Sequence, residues 1–444
     1  MERISFTKQQ LRALILPLLI EQLLAITVGL ADSLMVASVG EAAVSAVSLV
    51  DTVNVLLVNA FAALGTGGAM VAGQYLGRRE KDRAEHAASQ LVLFMLAVSL
   101  GITLLMYLGR HFILHVVFGN IQPDVAAYAN TYFLIAEASI PFLAMYSAGA
   151  ALFRVMGNSK ISMQVSLVMN VINVVGNAVL VFGFQMEVAG VAIPTLVSRM
   201  VAAGLMVVLL HKPGQTLRLR FTLRPEKRMV RNILRFGVTN GIESSMFQLG
   251  KILLLAVVSV LGTASIAANA IGNALGNFQC LPGTAIGLAM VTVVSHCVGA
   301  GDYAQARHYT KKMMQLAYLT MLVINLAILA ALPLVLPLYH PSAETYDYAM
   351  KILWMHGTMS ILLWPAAFTL PQALRAAGDT RYTLVVGSLS MWTFRVVFGV
   401  LLARVWGFGV LGIWMAMFID WICRVICFVL RYRGHRWELL ALGD

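Results

Sequence analysis

Apolar residues dominate this chain in runs of twenty or more, and short polar segments punctuate them. About twelve such runs can be counted, at roughly 13–38, 43–74, 88–110, 126–152, 162–184, 190–210, 235–261, 266–297, 313–338, 350–374, 382–404 and 409–431. Each is long enough to cross ~30 Å of hydrocarbon as a helix. The pattern predicts an all-α polytopic membrane protein of about twelve transmembrane helices. The first run exceeds a signal-peptide core, and no small-residue cleavage site follows it. The longest polar stretch lies at about 211–235, so no soluble domain is expected.

The pattern also repeats. "GTGGAMVAGQYLGRREKDRAEH" begins at Gly65 and "GLAMVTVVSHCVGAGDYAQARH" begins 222 residues later at Gly287. The same spacing relates Gly77 to Gly299, His86 to His308, Gly40 to Gly262, Glu21 to Glu243 and Gly190 to Gly412. Arg154 and Arg375 keep step at 221, as do Gly157 and Gly378. A constant offset over many landmarks signals duplicated halves. An even number of spans separates equivalent positions, so the halves are expected to be parallel repeats about an axis along the membrane normal, an arrangement found in secondary transporters. The expected organisation is an N-lobe over 1–212 with spans one to six, a linker over 213–230, and a C-lobe over 231–444 with spans seven to twelve, giving two pseudo-symmetric six-helix bundles. The linker, "HKPGQTLRLRFTLRPEKRMVRN" with its flanks, has Pro213, Gly214 and Pro225 as breakers and reads as a connector or as a contact for anionic lipid.

Composition supports this class. Hydrophobic residues make up 59% of the chain and charged ones 12%, about half the charged content of a soluble domain, and the mean hydropathy is +0.81. The net charge of +12 resembles a nucleic-acid footprint, but its distribution points elsewhere. Basic residues gather in alternate inter-span segments, most densely between spans six and seven. The intervening segments hold only Arg110, Lys351 and Arg404. By the positive-inside rule both termini are expected in the cytoplasm, with the chain in the cell's inner membrane and no nucleic-acid partner. The four cysteines (Cys280, Cys297, Cys423, Cys427) fall in spans without metal-ligand spacing and read as small apolar fillers. No metal and no cofactor are expected.

Six acids lie inside spans: Glu21, Asp32, Asp51, Glu137, Glu243 and Asp420. Arg199 is the one basic residue at depth in the first half. Lys251, Arg395 and Arg424 lie at depth in the second. Intramembrane ionisable residues are costly and functional by default, and the acid excess makes the first half the expected place for a proton or cation. Asp32 and Asp51 sit at similar depth on consecutive antiparallel spans, where two carboxylates tend to share a proton. Asp420 and Arg424, at i and i+4, favour a local ion pair. Asn170, Asn173 and Asn177 share one face of the fifth span. Asn269, Asn273 and Asn277 recur along the eighth, lining either a cavity or a helix contact. His296 and His356 read as satisfied core residues. Phe153, Phe247, Trp364 and Trp392 are candidates for cation–π contact with flat organic cations, or simple packing residues.

"LPLLIEQLLAITVGLADSLMVASVG", "GTGGAMVAGQYLGRREKDRA", "IPFLAMYSAGAALFRVMGNSKISM" and "NVINVVGNAVLVFGF", with their second-half echoes at Glu243, Gly299 and Arg375, resemble the multidrug and toxic compound extrusion (MATE) transporters over nearly the whole chain. The resemblance implies two six-helix bundles facing a central cavity, alternating access, and export of organic, cationic compounds in exchange for H⁺ or Na⁺, and no enzyme activity. It assigns coupling-ion binding to Asp32, which matches the family's first-span acid; a structural hydrogen-bonding role is the alternative. It places the fifth-span Asn row at the same cavity. One branch carries an acid where this chain has Asn177, so a two-acid proton site cannot use that position, although the Asn row can fix the Asp32 rotamer. Glu243 matches an acid used in several branches, while the tenth-span partner acid of some members is missing; pairing with Lys251 or Arg395 is the alternative. The expected site set is thus Asp32, Asp51 and Glu243 for the coupling ion, with Asn170, Asn173, Asn177, Asn269, Asn273, Phe153, Phe247 and Trp364 lining the cavity. Small organic substrates and the bilayer are the expected partners, and the protein is expected to be monomeric. A flippase of a lipid-linked substrate in the same superfamily is the nearest rival, disfavoured by the acid excess of half one. A membrane-embedded enzyme is remote, since no HExxH or Ser/His constellation appears.

Overall fold

A computed structural model describes residues 5–114, 122–219 and 226–442. Each of the twelve apolar runs lies, to within three residues at its ends, within a helix or a broken helix: α1 Lys8–Val39, α2 Glu41–Gly77, α3 Lys81–Leu108, α4 Pro123–Ala138 with Ile140–Val155, α5 Ser159–Gly183, α6 Ala189–His211, α7 Lys227–Val258, α8 Thr263–Gly299, α9 Tyr303–Tyr339, α10 Ala343–Trp364 continued by Pro365–Thr369 and Leu370–Ala376, α11 Thr380–Val405, and α12 Gly409–Arg433. Among the described residues ten helices are long and apolar enough to cross a membrane, and the α4 pair, bent by 41°, makes an eleventh. The twelfth, α10, is as long but carries Trp354, His356, Trp364 and Pro365, which dilute its apolar character. Most helices run a few residues past the apolar runs, because their polar ends continue the same backbone ladder.

Linker residues Arg220, Thr222, Arg224 and Pro225, and Arg3 near the N-terminus, lie outside the described residues. Helix α7 begins at Lys227.

The chain packs as two compact units. Arg12–Gly241 form one. Its apolar core at the α1–α2 turn is built from Val36, Val47, Val50, Phe133 and Val191, all buried. The first turns of α7 belong to this unit: Asn240 Nδ2 donates to the Ala63 carbonyl at 2.7 Å, and α2 comes so near that a Cβ on Gly67 would stand 2.5 Å from the Phe236 carbonyl oxygen. Small residues permit such approach between membrane helices.

Ile242–Asp444 form the other unit together with the chain up to Leu11. Phe6 enters it by donating its N–H to Tyr309 Oη at 2.7 Å and by edge contacts with His296 and Tyr309. Trp414, Trp421, Phe418, Ile352 and Leu353 lead its core.

The repeat reappears in the backbone. Gly40 and Gly262, equivalent by the 222-residue offset, precede α2 and α8 with φ of 136° and 98°, a region where L side chains are strained. Regular winding breaks into π-helical turns at Val179–Gly183, Leu234–Val238, Pro365–Thr369, Met391–Val397 and Leu401–Val405.

Candidate functional site

In the first unit α1, α2, α4, α5 and α6 bring polar side chains to one region. Asp32 Oδ1 accepts a hydrogen bond from Asn177 Nδ2 at 2.8 Å. The Asn173 amide, oriented by its hydrogen-bonding pattern, donates to both Asp32 oxygens at 2.8 and 3.2 Å and accepts from Thr195 Oγ1 at 3.0 Å. Asp51 Oδ1 accepts from Tyr132 Oη at 3.0 Å and Asn54 Nδ2 at 3.4 Å. Asp32 feels the charges of Asp51 and Arg199. Arg199 in turn feels Tyr132, Asp51, Glu137 and Asp32, while its Nη1 donates to Ser139 Oγ at 2.6 Å. Three carboxylates therefore share the field of one guanidinium, and none of them forms an ion pair with it within 4 Å. Such an excess of acid in a low-dielectric setting can hold a proton or a small cation.

Glu137 and Tyr132 belong to this group, and sequence reasoning gave neither a role. Glu137 is fully buried, and neither carboxylate oxygen has a hydrogen-bond partner. The signal for both was their place on α4, about one and a half helical turns apart, with Glu137 one of four acids at depth in the first half. Asn170 is also buried but contacts Ser166 on its own helix, apart from the carboxylate.

Glu243 is placed differently. Arg375 grips it with two hydrogen bonds, Nη2 to Oε1 at 2.5 Å and Nε to Oε2 at 3.2 Å. The pairing with Lys251 or Arg395 considered from the sequence does not form. The equivalent pair exists in the first unit, where Arg154 Nη1 lies 3.4 Å from Glu21 Oε1 and Ser162 Oγ donates to Oε2 at 2.7 Å. Asp420 accepts from Arg424 Nε at 2.8 Å and from Ser390 Oγ, the local ion pair that the i, i+4 spacing predicts.

The remaining candidates separate. Asn269 is buried, and its Oδ1 accepts from Trp414 Nε1 at 3.1 Å. Asn273 and Asn277 are exposed, and Asn273 Nδ2 donates to the Asn269 carbonyl one turn back. Phe153 is fully buried, so it is a core residue rather than a lining one. Trp364 stacks on Phe368 with centroids 5.2 Å apart. His356 is a core histidine as expected, its Nδ1 2.5 Å from Gln279 Oε1 and its ring against Trp414 and Trp421. Phe247 is half-buried and lies beneath three cations, Arg395, Arg424 and Lys251, at 5.3, 5.6 and 5.9 Å. Among the described residues no three His, Cys, Asp or Glu side chains converge as metal ligands.

Comparison with known proteins decides what these elements belong to. The MatE family model matches the chain twice, over residues 17–179 and 241–401. The chain belongs to the MatE family. The double match covers most of the sequence and falls on the two halves that the internal offset relates. Among curated relatives of this MatE chain, the "Uncharacterized transporter YisQ" of Bacillus subtilis is 25% identical, covering 95% of this chain and 93% of its own length. The "Probable multidrug resistance protein NorM" of Thermotoga maritima is 22% identical over 99% of this chain and 95% of its own. A crystal structure of MATE in the straight conformation superposes with a TM-score of 0.89 at 18% identity, covering 98% of this chain and 99% of that one. The MatE protein is therefore a multi-pass membrane transporter and not an enzyme.

Proposed function

We propose that this MatE chain is a secondary active antiporter that exports organic, cationic compounds in exchange for H⁺ or Na⁺ by alternating access. The observation that carries the reading is the Asp32 site. A carboxylate held by Asn173 and Asn177 shares its surroundings with Asp51, Glu137 and a single cation, Arg199. Asp32 and Asp51 hold the coupling ion, Tyr132 and the two asparagines fix their geometry, and Glu137 is a further acid in the same electrostatic group. Glu243 stands outside the ion-binding set because Arg375 already meets both of its oxygens. Likeness in sequence to a probable multidrug resistance protein supports the export of foreign organic compounds.

The clustering of Lys and Arg in alternate inter-helix segments supports both termini in the cytoplasm of a cell's inner membrane. The chain works as a monomer.

The energetics suit the role. One pH unit supplies about 1.36 kcal/mol per proton and 100 mV about 2.3 kcal/mol per charge. For a neutral substrate the two together drive a gradient of several hundred-fold, at about 1.4 kcal/mol per tenfold; for a monovalent cation exchanged one-for-one the electrical contribution cancels, and each pH unit at Asp32 drives about tenfold. The test is uptake of ethidium into everted vesicles with pH and Na⁺ gradients imposed separately. Asp32→Asn keeps the shape and an oxygen for the two 2.8 Å contacts at Oδ1 but cannot titrate. It abolishes gradient-driven export while thermal stability stays near wild type; uphill export by this variant refutes the assignment.

A further inference from the structure

The second unit has the opposite polarity. Its intramembrane acids are spoken for: Glu243 by Arg375 and Asp420 by Arg424 and Ser390. Two cations remain, Lys251 on α7 and Arg395 on α11. Neither has an ion pair or hydrogen bond to any described residue. Both lie within 6 Å of the Phe247 ring, Arg395 at 5.3 Å and Lys251 at 5.9 Å. An aromatic face attracts cations but cannot neutralise them, and two like charges sharing one ring repel each other. Asp420 and Arg424 are the other charged groups that Arg395 feels, and they compensate one another.

The donors around the pair are also unmet. Arg395 Nε and Trp392 Nε1 are buried without an acceptor. Both belong to the π-helical stretch Met391–Val397, a winding that recurs at functional sites. Trp392 and Phe247 pack against the same apolar cluster, with Leu254, Val258 and Met391. Lys251 is exposed at the unit's surface, whereas Arg395 and Trp392 are half-buried. Uncompensated cations and orphaned N–H donors beside an aromatic wall are the chemistry that receives an anion on a flat organic body.

We propose that Lys251 and Arg395 bind the carboxylate of an aromatic substrate, with its ring on Phe247 and Trp392. This inference rests on the export reading above and refines it: the cargo is zwitterionic or anionic rather than purely cationic. The first unit, rich in acids, handles the coupling ion, and the second takes the anionic group.

The experiment uses a matched dye pair that differs only at the carboxylate. Rhodamine B and its ethyl ester are titrated against the full-length protein in neutral detergent, and binding is read by fluorescence polarisation. The wild type prefers the acid to the ester by about tenfold or more, the scale of a hydrogen bond to a charged group. Lys251→Gln and Arg395→Gln bring the acid-to-ester ratio near one, and Lys251→Arg restores the preference. An arm that needs no variant is competition in the wild type: benzoate displaces rhodamine B and leaves the ester bound. Equal affinity for both dyes in the wild type, or binding of the ester alone, overturns the inference while the export reading stands; failure of both dyes to bind removes both. Displacement of rhodamine B by phosphatidylglycerol but not by benzoate assigns the cations to a lipid headgroup and also overturns it.

Discussion

Replacing Glu243 by Gln separates two roles that its position alone allows. Its carboxylate is nine-tenths buried, the Arg375 side chain only slightly less so, and the contacts are two-pronged at 2.5 and 3.2 Å. Gln cannot balance the guanidinium, so the variant leaves a buried cation whose partner has gone. Breaking a buried pair from one side typically costs about 3–5 kcal/mol. In a protein of this size that is a fall of roughly 3–5 °C in the unfolding midpoint. The assay is thermal unfolding of purified protein followed by size-exclusion with tryptophan fluorescence, alongside ethidium export in everted vesicles. Glu243→Gln combined with Arg375→Gln leaves no orphaned charge and recovers most of the loss, with a coupling energy of about 1–3 kcal/mol in the double-mutant cycle. Glu21→Gln destabilises less, because its contact with Arg154 is single and longer, at 3.4 Å. The reasoning fails if Glu243→Gln unfolds like the wild type yet loses coupled export; Glu243 would then be an ion ligand.

Other expectations follow from single contacts. Gly67→Ala places a Cβ 2.5 Å from the Phe236 carbonyl and lowers stability by about 1–3 kcal/mol, measurable in the same thermal assay; an unchanged midpoint contradicts the close approach of α2 and α7. The C-terminal turn is pH-sensitive. Burial pushes the Glu438 carboxyl up, but hydrogen bonds from His435 and Arg307 outweigh it and hold the group below its usual range. A depressed carboxyl stabilises fully above its unfolded value, about 4.3, and loses that contribution as pH falls through the folded value. Amide exchange in residues 435–442 therefore rises relative to the rest of the chain as acidity increases below that point, and a flat profile counts against the Arg307–Glu438 anchor. A cysteine at Thr216 is expected to react with an impermeant maleimide in everted vesicles and not in intact cells; labelling from outside reverses the orientation.

Much of this was legible beforehand because membrane helices advertise themselves. Lipid forces the backbone to satisfy its own hydrogen bonds, so each long apolar run becomes a helix whatever surrounds it. The Asp420–Arg424 pair was legible because one helix brings its members together. Asp32 and the asparagine row were legible as polar exceptions in apolar spans. Glu243–Arg375 was not, since its members are far apart in sequence and Arg375 looked like one more loop cation. Yet Glu21, Glu243, Arg154 and Arg375 all recur at the repeat spacing, and a repeat that preserves both an acid and a base suggests that they meet. The asparagines of α8 were legible as lining either a cavity or a helix contact, and the partner of Asn269 was not, since Trp414 is distant in sequence. The π-helical turns have no counterpart in the apolar pattern at all.

The boundaries of the two units carry a consequence for how the chain can be cut. Residues up to Leu11 pack with the second unit, and Lys227–Gly241 pack with the first. Each half therefore lends a short segment to the other's unit. A protease nick between Gly214 and Glu226 severs the covalent tether but leaves both borrowed segments in place. Fragments made as two separate polypeptides with ends in that stretch carry the information needed to find each other.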